Sequence, residues 1–313
     1  YLGTRHMPTY PQYVVIEEQG LRDGLQPEAV LMPTEKKLAI IDTLIAAGIK
    51  KIQVTSFVHP RRVPQMGDAE KLCQKLDLSK DVTYSALVLN EKGVQRAADA
   101  GLKHVGVSIS ASDTHSRKNA NVSLEEAGKR MAAMVRIGKQ LGLKLRGGLQ
   151  CVFGCRYEGR ILKNVVMDMV KAQLDLGVDE LSLADSTGMA HPGSIRDIAG
   201  EARELAGPLP VYLHLHDTEG KGLANVIAGM EAGISHFETT LGGMGGCPFI
   251  KGASGNVSTE DLVCMLHQMG IETGIDVERL SAATRGIETF MGKTFSGKMH
   301  TLLAREDIRI VLN

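Results

Sequence analysis

The sequence predicts an α/β protein, an eight-stranded parallel (β/α)8 TIM barrel with an additional C-terminal helical segment. Three observations predict it. Eight short β-rich runs recur along the chain, amphipathic helix-period stretches lie between them, and several of those stretches end in a glycine just before the next run. Strands alternating with helices imply parallel pairing through right-handed crossovers. Eight units favour a closed barrel over an open doubly wound sheet, and no G-x-G-x-x-G follows an early strand, as a dinucleotide fold would require.

The β-rich runs are residues 14–18, 51–55, 84–89, 104–110, 144–150, 180–184, 211–216 and 236–241. Helical periodicity fills residues 35–47, 91–100, 123–141, 163–176 and 194–205 between them. Gly48, Gly101, Gly177 and Gly233 close four of the helical units in the manner of C-cap glycines. A further helix at Val277–Met291 is expected on the outside of the barrel. No linker or low-complexity tract divides the 313 residues, so the chain reads as a single barrel domain, about 14–270, with a helical extension over about 271–313. Tyr1 to Met7 reads as a remnant ahead of the true start.

Lys plus Arg equals Asp plus Glu at 36 each, which leaves no basic stripe to neutralise a phosphate backbone. Trp is absent and aromatics are only 4%, so stacking platforms for bases are scarce. Nucleic acid is excluded as a partner on these grounds. No apolar run approaches the roughly 20 residues that cross a bilayer, so no membrane partner is expected. The five cysteines are too irregularly spaced for a disulfide framework, and the expected location is cytoplasmic.

Barrel enzymes assemble their sites where strands end. The first strand leads into Gln19-Gly20-Leu21-Arg22-Asp23-Gly24, the second carries Gln53, and the sixth ends in Ala184-Asp185-Ser186. The seventh carries His214-Leu215-His216-Asp217, and the eighth precedes Gly242-Gly243-Met244-Gly245-Gly246-Cys247 and then Asn256. Side chains alternate along a strand, so His214 and His216 point to one face and can grip one ion. Alone, such a pair is as readily two hydrogen-bonded core imidazoles. Asp23 and Asn256, at other strand exits on the same face, shift the balance to a metal site. Two imidazoles, a carboxylate and an amide oxygen suit Mg2+ or Mn2+ with open positions; zinc would prefer more sulfur or nitrogen. Asp217 is better employed capping the next helix.

Arg22 either pairs with Asp23 or aims a cation at an oxygen that becomes negative during reaction. The glycine-rich segment 242–246 lacks the ending of a phosphate loop and reads as a mobile lid carrying Cys247. Gln53, polar in an apolar strand, should point inward near the metal. Cys151 and Cys155 read as structural.

These residues together resemble the 3-hydroxy-3-methylglutaryl-CoA lyase family of metal-dependent barrel lyases. The similarity runs from about Val14 to about Thr301 and is carried by Arg22-Asp23-Gly24-Leu25-Gln26, Thr55-Ser56-Phe57-Val58, His214-Leu215-His216-Asp217-Thr218, Gly245-Gly246-Cys247-Pro248 and Gly252-Ala253-Ser254-Gly255-Asn256. The resemblance implies metal ligation by Asp23, His214, His216 and Asn256. It implies that Arg22 stabilises an enolate and that Cys247 and His214 move a proton. It also implies an acyl-CoA partner whose coenzyme A meets Lys293, and is compatible with a homo-oligomer such as a dimer. The family's strand-two glutamate is Gln53 here, its proline before Arg-Asp is Leu21, and its Gly-Asp-Thr is Ala184-Asp185-Ser186. Gln53 and Ser186 would lie where the acyl portion binds.

The expected function is therefore retro-Claisen cleavage of a 3-hydroxyacyl-CoA, most like 3-hydroxy-3-methylglutaryl-CoA. One alternative is the same chemistry on a malyl-type thioester, such as citramalyl-CoA or methylmalyl-CoA. Two others are a non-catalytic metal- or CoA-binding barrel and a zinc hydrolase.

Overall fold

Alternate side chains of the first strand serve two different layers. In the computed structural model, which describes residues 10–247 and 250–305, β1 spans Val15–Glu18. Glu17 turns inward and meets the Arg146 guanidinium at 2.5 Å. Glu18 turns the other way and accepts hydrogen bonds from the backbone N–H groups of Gly20 and Leu241.

The next strands are β2 (Lys51–Ser56), β3 (Thr83–Val88), β4 (His104–Ser110), β5 (Lys144–Gln150), β6 (Glu180–Ala184), β7 (Val211–His214) and β8 (His236–Thr239). Each pairs in parallel with the one before it, and β8 pairs with β1 to close the ring. The fold class read from the sequence is the one observed. β7 and β8 stop earlier than expected, because the chain after β8 returns to take their last pairing positions. His216 bridges to Asn256 and Thr240 to Ser258, and Val257 donates its N–H to Leu215. That return begins with a small antiparallel ribbon of β9 (Gly246–Cys247) and β10 (Ile250–Ser254).

Helices cover the outside. The one at Lys163–Leu176 ends in Gly177, whose left-handed conformation (φ 75°) is costly for any residue with a Cβ. The helix at Val277–Met291 has the bounds read from the sequence and packs outside the barrel. Asp276 beside it donates its N–H to Ala47 at 2.8 Å, and the Lys36 ammonium lies over the Phe290 ring. No helix among the described residues is long and apolar enough to cross a membrane.

The barrel's middle layer is charged, not apolar. Arg146 is buried there against Glu17, Glu180 and Glu238, with the Tyr212 ring 3.7 Å beneath its guanidinium. Burying these charges is tolerable only because each has close opposite charge. The polar layer is the floor on which the site stands.

Candidate metal centre

β1 leaves the barrel through a single π-helical turn, Gly20–Gly24. Gly24 donates to Gln19 O and Leu25 to Gly20 O, one residue wider than an α-turn. Leu21 turns into the core while Arg22 and Asp23 reach the mouth of the barrel. The Arg-Asp pair therefore owes its direction to a wide turn.

Three of the expected ligands converge. Ligand atoms of Asp23, His214 and His216 lie within 4.8 Å of one another. His214 Nε2 is 3.2 Å from His216 Nε2 and 3.7 Å from Asp23 Oδ2. Asn256 joins them by donating its Nδ2–H to Asp23 Oδ2 at 2.8 Å and to the Met244 carbonyl at 3.0 Å. Its Oδ1 is then buried with no partner. A cluster of one carboxylate, two imidazole nitrogens and an orphaned amide oxygen fits a hard divalent cation such as Mg2+ or Mn2+. Space for Asn256 depends on Gly245: its φ is +92°, and a Cβ there would stand 2.8 Å from Asn256 Nδ2.

Charge in the cluster is divided unevenly. Burial opposes ionisation of Asp23, but Arg22 and the two histidines outweigh it and hold the carboxyl below its usual range. Burial and then His214 push His216 down to about 3, so it is neutral. Burial also opposes charge on His214, yet its hydrogen bond to Glu238 and the charge of Asp23 raise it.

Glu238 was not singled out from the sequence, and it is central. Its Oε2 lies 3.1 Å from His214 Nδ1 and its Oε1 accepts from Arg146 at 2.9 Å. A carboxylate at an inward position of β8 is the same signal that drew attention to Gln53 on β2. Gln53 does point inward: its Oε1 accepts from Arg22 Nε. A register shift between Gln53 and Thr55 sits beside it. Arg22 also donates to Asp23 Oδ1 and to Gln19 Oε1.

Other expected positions have contacts of their own. Ser186 Oγ accepts from Cys151 N at 3.2 Å, tying the exit of β6 to that of β5. The Lys293 ammonium pairs with Glu28 at 2.6 Å. Asp217 is no metal neighbour: its Oδ1 accepts from Gly222 N at 2.6 Å. It pins the turn before helix Gly222–Glu231 and is not the N-cap itself, which is Lys221. Cys247 closes β9, and its side chain lies outside what the structure describes. Cys151 and Cys155 are buried and free. Burial drives the Cys151 thiol up to about 12, and Cys155 Sγ accepts from Ser112 Oγ at 3.0 Å, which suits packing.

This geometry has close relatives. The chain is 40% identical over 284 residues to the hydroxymethylglutaryl-CoA lyase YngG of Bacillus subtilis, covering 91% of this chain and 95% of that one. It is 42% identical over 277 residues to the cytoplasmic 3-hydroxy-3-methylglutaryl-CoA lyase of Danio rerio, covering 88% and 83%. The crystal structure of the Bacillus subtilis HMG-CoA lyase superimposes with a TM-score of 0.91 at 39% identity, over 96% of this chain and all of that one. An HMG-CoA lyase from A. baumannii, in complex with coenzyme A and 3-methylmalate, gives a TM-score of 0.90 at 35% identity over 97% of this chain and 100% of that one. Residues 14–287 match the HMGL-like family, and the chain belongs to that family of carbon–carbon lyases.

Proposed function

We propose that the chain cleaves 3-hydroxy-3-methylglutaryl-CoA into acetyl-CoA and acetoacetate. The observation that carries this reading is the convergence of Asp23, His214, His216 and the unpartnered Asn256 Oδ1 beside the Arg22 guanidinium. Asp23, His214, His216 and Asn256 would hold a divalent ion, which supplies the acidity that lowers the pKa of a substrate hydroxyl. Arg22, held on three sides, presents positive charge where the thioester oxygen gains negative charge as the bond between C2 and C3 breaks. The hydroxyl proton leaves to a base near His214, the C3 hydroxyl becomes the ketone of acetoacetate, and the bonding pair becomes the thioester enolate. Cys247 is the proposed donor that returns a proton to C2. Ser186 and Gln53 are proposed to border the acyl group, and Lys293 to meet coenzyme A. The reduced cysteines among the described residues accord with a cytosolic setting.

A second reading has one specific observation behind it. Gln53 places a neutral amide on Arg22, a setting that suits cleavage of a malyl-type thioester to a 2-oxo acid. One experiment separates the two. The Mn2+-loaded protein is given hydroxymethylglutaryl-CoA, citramalyl-CoA and methylmalyl-CoA, and products are identified by mass. Acetoacetate with acetyl-CoA is expected. No cleavage of any thioester would remove both readings.

A further inference from the structure

We propose that Gln19 is a substrate-binding residue whose Nε2–H donates to an acyl oxygen gripped by Arg22. This deepens the lyase reading and rests on it only for the identity of the acyl group.

Gln19 follows β1 directly, and its N–H extends the β1–β8 ladder by donating to Thr239 O at 2.8 Å. It shares the parity of Glu17, so its side chain enters the barrel one layer above the Glu17–Arg146 pair. Pairing of Glu18 with Ile52 sets Gln19 level with Gln53 on the neighbouring strand. The two amides flank Arg22, each accepting from it through the carbonyl oxygen.

That arrangement fixes the direction of Gln19. A guanidinium offers only donors, so the amide oxygen must take its N–H, and the NH2 on the same amide carbon is left over beside that contact. Gln19 is 1% exposed, and its Nε2 has no hydrogen-bond partner. Buried amide donors are normally satisfied, because leaving one unmet is costly. Arg22 meanwhile uses three of its five N–H groups on Gln53, Asp23 and Gln19, which leaves two. Unspent donors of Arg22 and of Gln19 therefore stand side by side, joined by one hydrogen bond. Both amides are neutral, so of the three side chains that accept from Arg22, Asp23 alone carries charge. A carboxylate or thioester oxygen placed on Arg22 would satisfy Gln19 as well. The ligand class is an oxygen acceptor bearing negative charge.

The test is binding, read apart from turnover. Wild type, Gln19→Met, Arg22→Met and the double variant are loaded with Mn2+, checked for metal content and thermal melting, and titrated with 3-hydroxy-3-methylglutarate. Gln19→Leu repeats the first comparison with a different filler. Gln19→Met should weaken binding by about tenfold to hundredfold, the loss expected of one hydrogen bond to a charged group. A several-fold loss should persist in the Arg22→Met background, because the contact is direct. An unchanged Kd, or a loss that vanishes without Arg22, would overturn the proposal and leave Gln19 as a prop for the guanidinium. A wild type that binds the diacid but does not cleave the thioester would overturn the lyase reading, while the binding data still decide Gln19. A wild type that binds no diacid would overturn the Gln19 proposal, while cleavage of the thioester separately decides the lyase reading.

Discussion

Glu238 Oε2 stands 3.1 Å from His214 Nδ1 and decides which nitrogen of that ring carries hydrogen. Arg146 and His214 together keep the Glu238 carboxyl ionised despite its burial. An ionised carboxylate only accepts, so Nδ1 must donate, and the neutral ring then has its Nε2 lone pair free for the cluster. Glu238→Ala removes the restraint on tautomer and on ring direction together. Mn2+ affinity should fall roughly tenfold to hundredfold, the usual cost of losing a carboxylate behind a ligating histidine. Equal Mn2+ affinity in the variant, measured by titration, would dismiss this role.

How much of this was legible beforehand differs residue by residue. Strand and helix order was legible because periodicities of two and of 3.6 are written directly in the side chains. His214 and His216 were legible because their spacing is local. Glu238 carries no local signal of its role although it sits inward on β8, because its meaning comes from Arg146 and His214, far away in sequence; Gln19, just past β1, gains its meaning from a π-turn that folds Arg22 back onto it. The shortened β7 was illegible too, since its end is set by a segment some 40 residues later that takes over the pairing at His216. Long-range pairing carries no local signature.

Asp23→Ala and His216→Ala each remove one donor from a cluster of few. Metal content after gel filtration should drop well below one ion per chain, and turnover should fall with it. Full metal content in either variant would exclude that residue from the ligand set.

Glu18 gives a prediction about pH. Burial lifts its carboxyl to about 8, against opposing hydrogen bonds from Thr259, Leu241 and Gly20. The folded state therefore holds this proton more tightly than the unfolded chain, whose glutamates titrate near 4.5. Its contribution to stability is complete below about 4.5 and is lost as pH rises toward 8. Glu18→Gln keeps an oxygen for the two backbone N–H groups and offers a permanent N–H to Thr259. The melting temperature of the variant should fall less between pH 5 and pH 8 than that of the wild type. Parallel pH profiles would show that Glu18 is ionised throughout.

Arg22 should matter more to the transition state than to the ground state, since the thioester oxygen becomes negative only as the bond breaks. Losing one such donor costs roughly 10²–10³ in kcat. Arg22→Ala should show that loss at saturating substrate. A raised KM with unchanged kcat would reduce Arg22 to a docking group.

Gln53 tests whether the neutral amide is a specificity device. Its oxygen accepts from Arg22 Nε, so the guanidinium is steadied there without being neutralised. A carboxylate at that position would draw on the same N–H and cancel part of the charge that an acyl oxygen would otherwise meet. It would also replace an amide, which can donate as well as accept, by a group that only accepts. Gln53→Glu should therefore shift preference toward the branched glutaryl thioester. The measurement is kcat/KM for hydroxymethylglutaryl-CoA and for a malyl-type thioester in both proteins. A ratio that does not move between them would make Gln53 a tolerated variation, and the malyl-type reading would then lose its structural support.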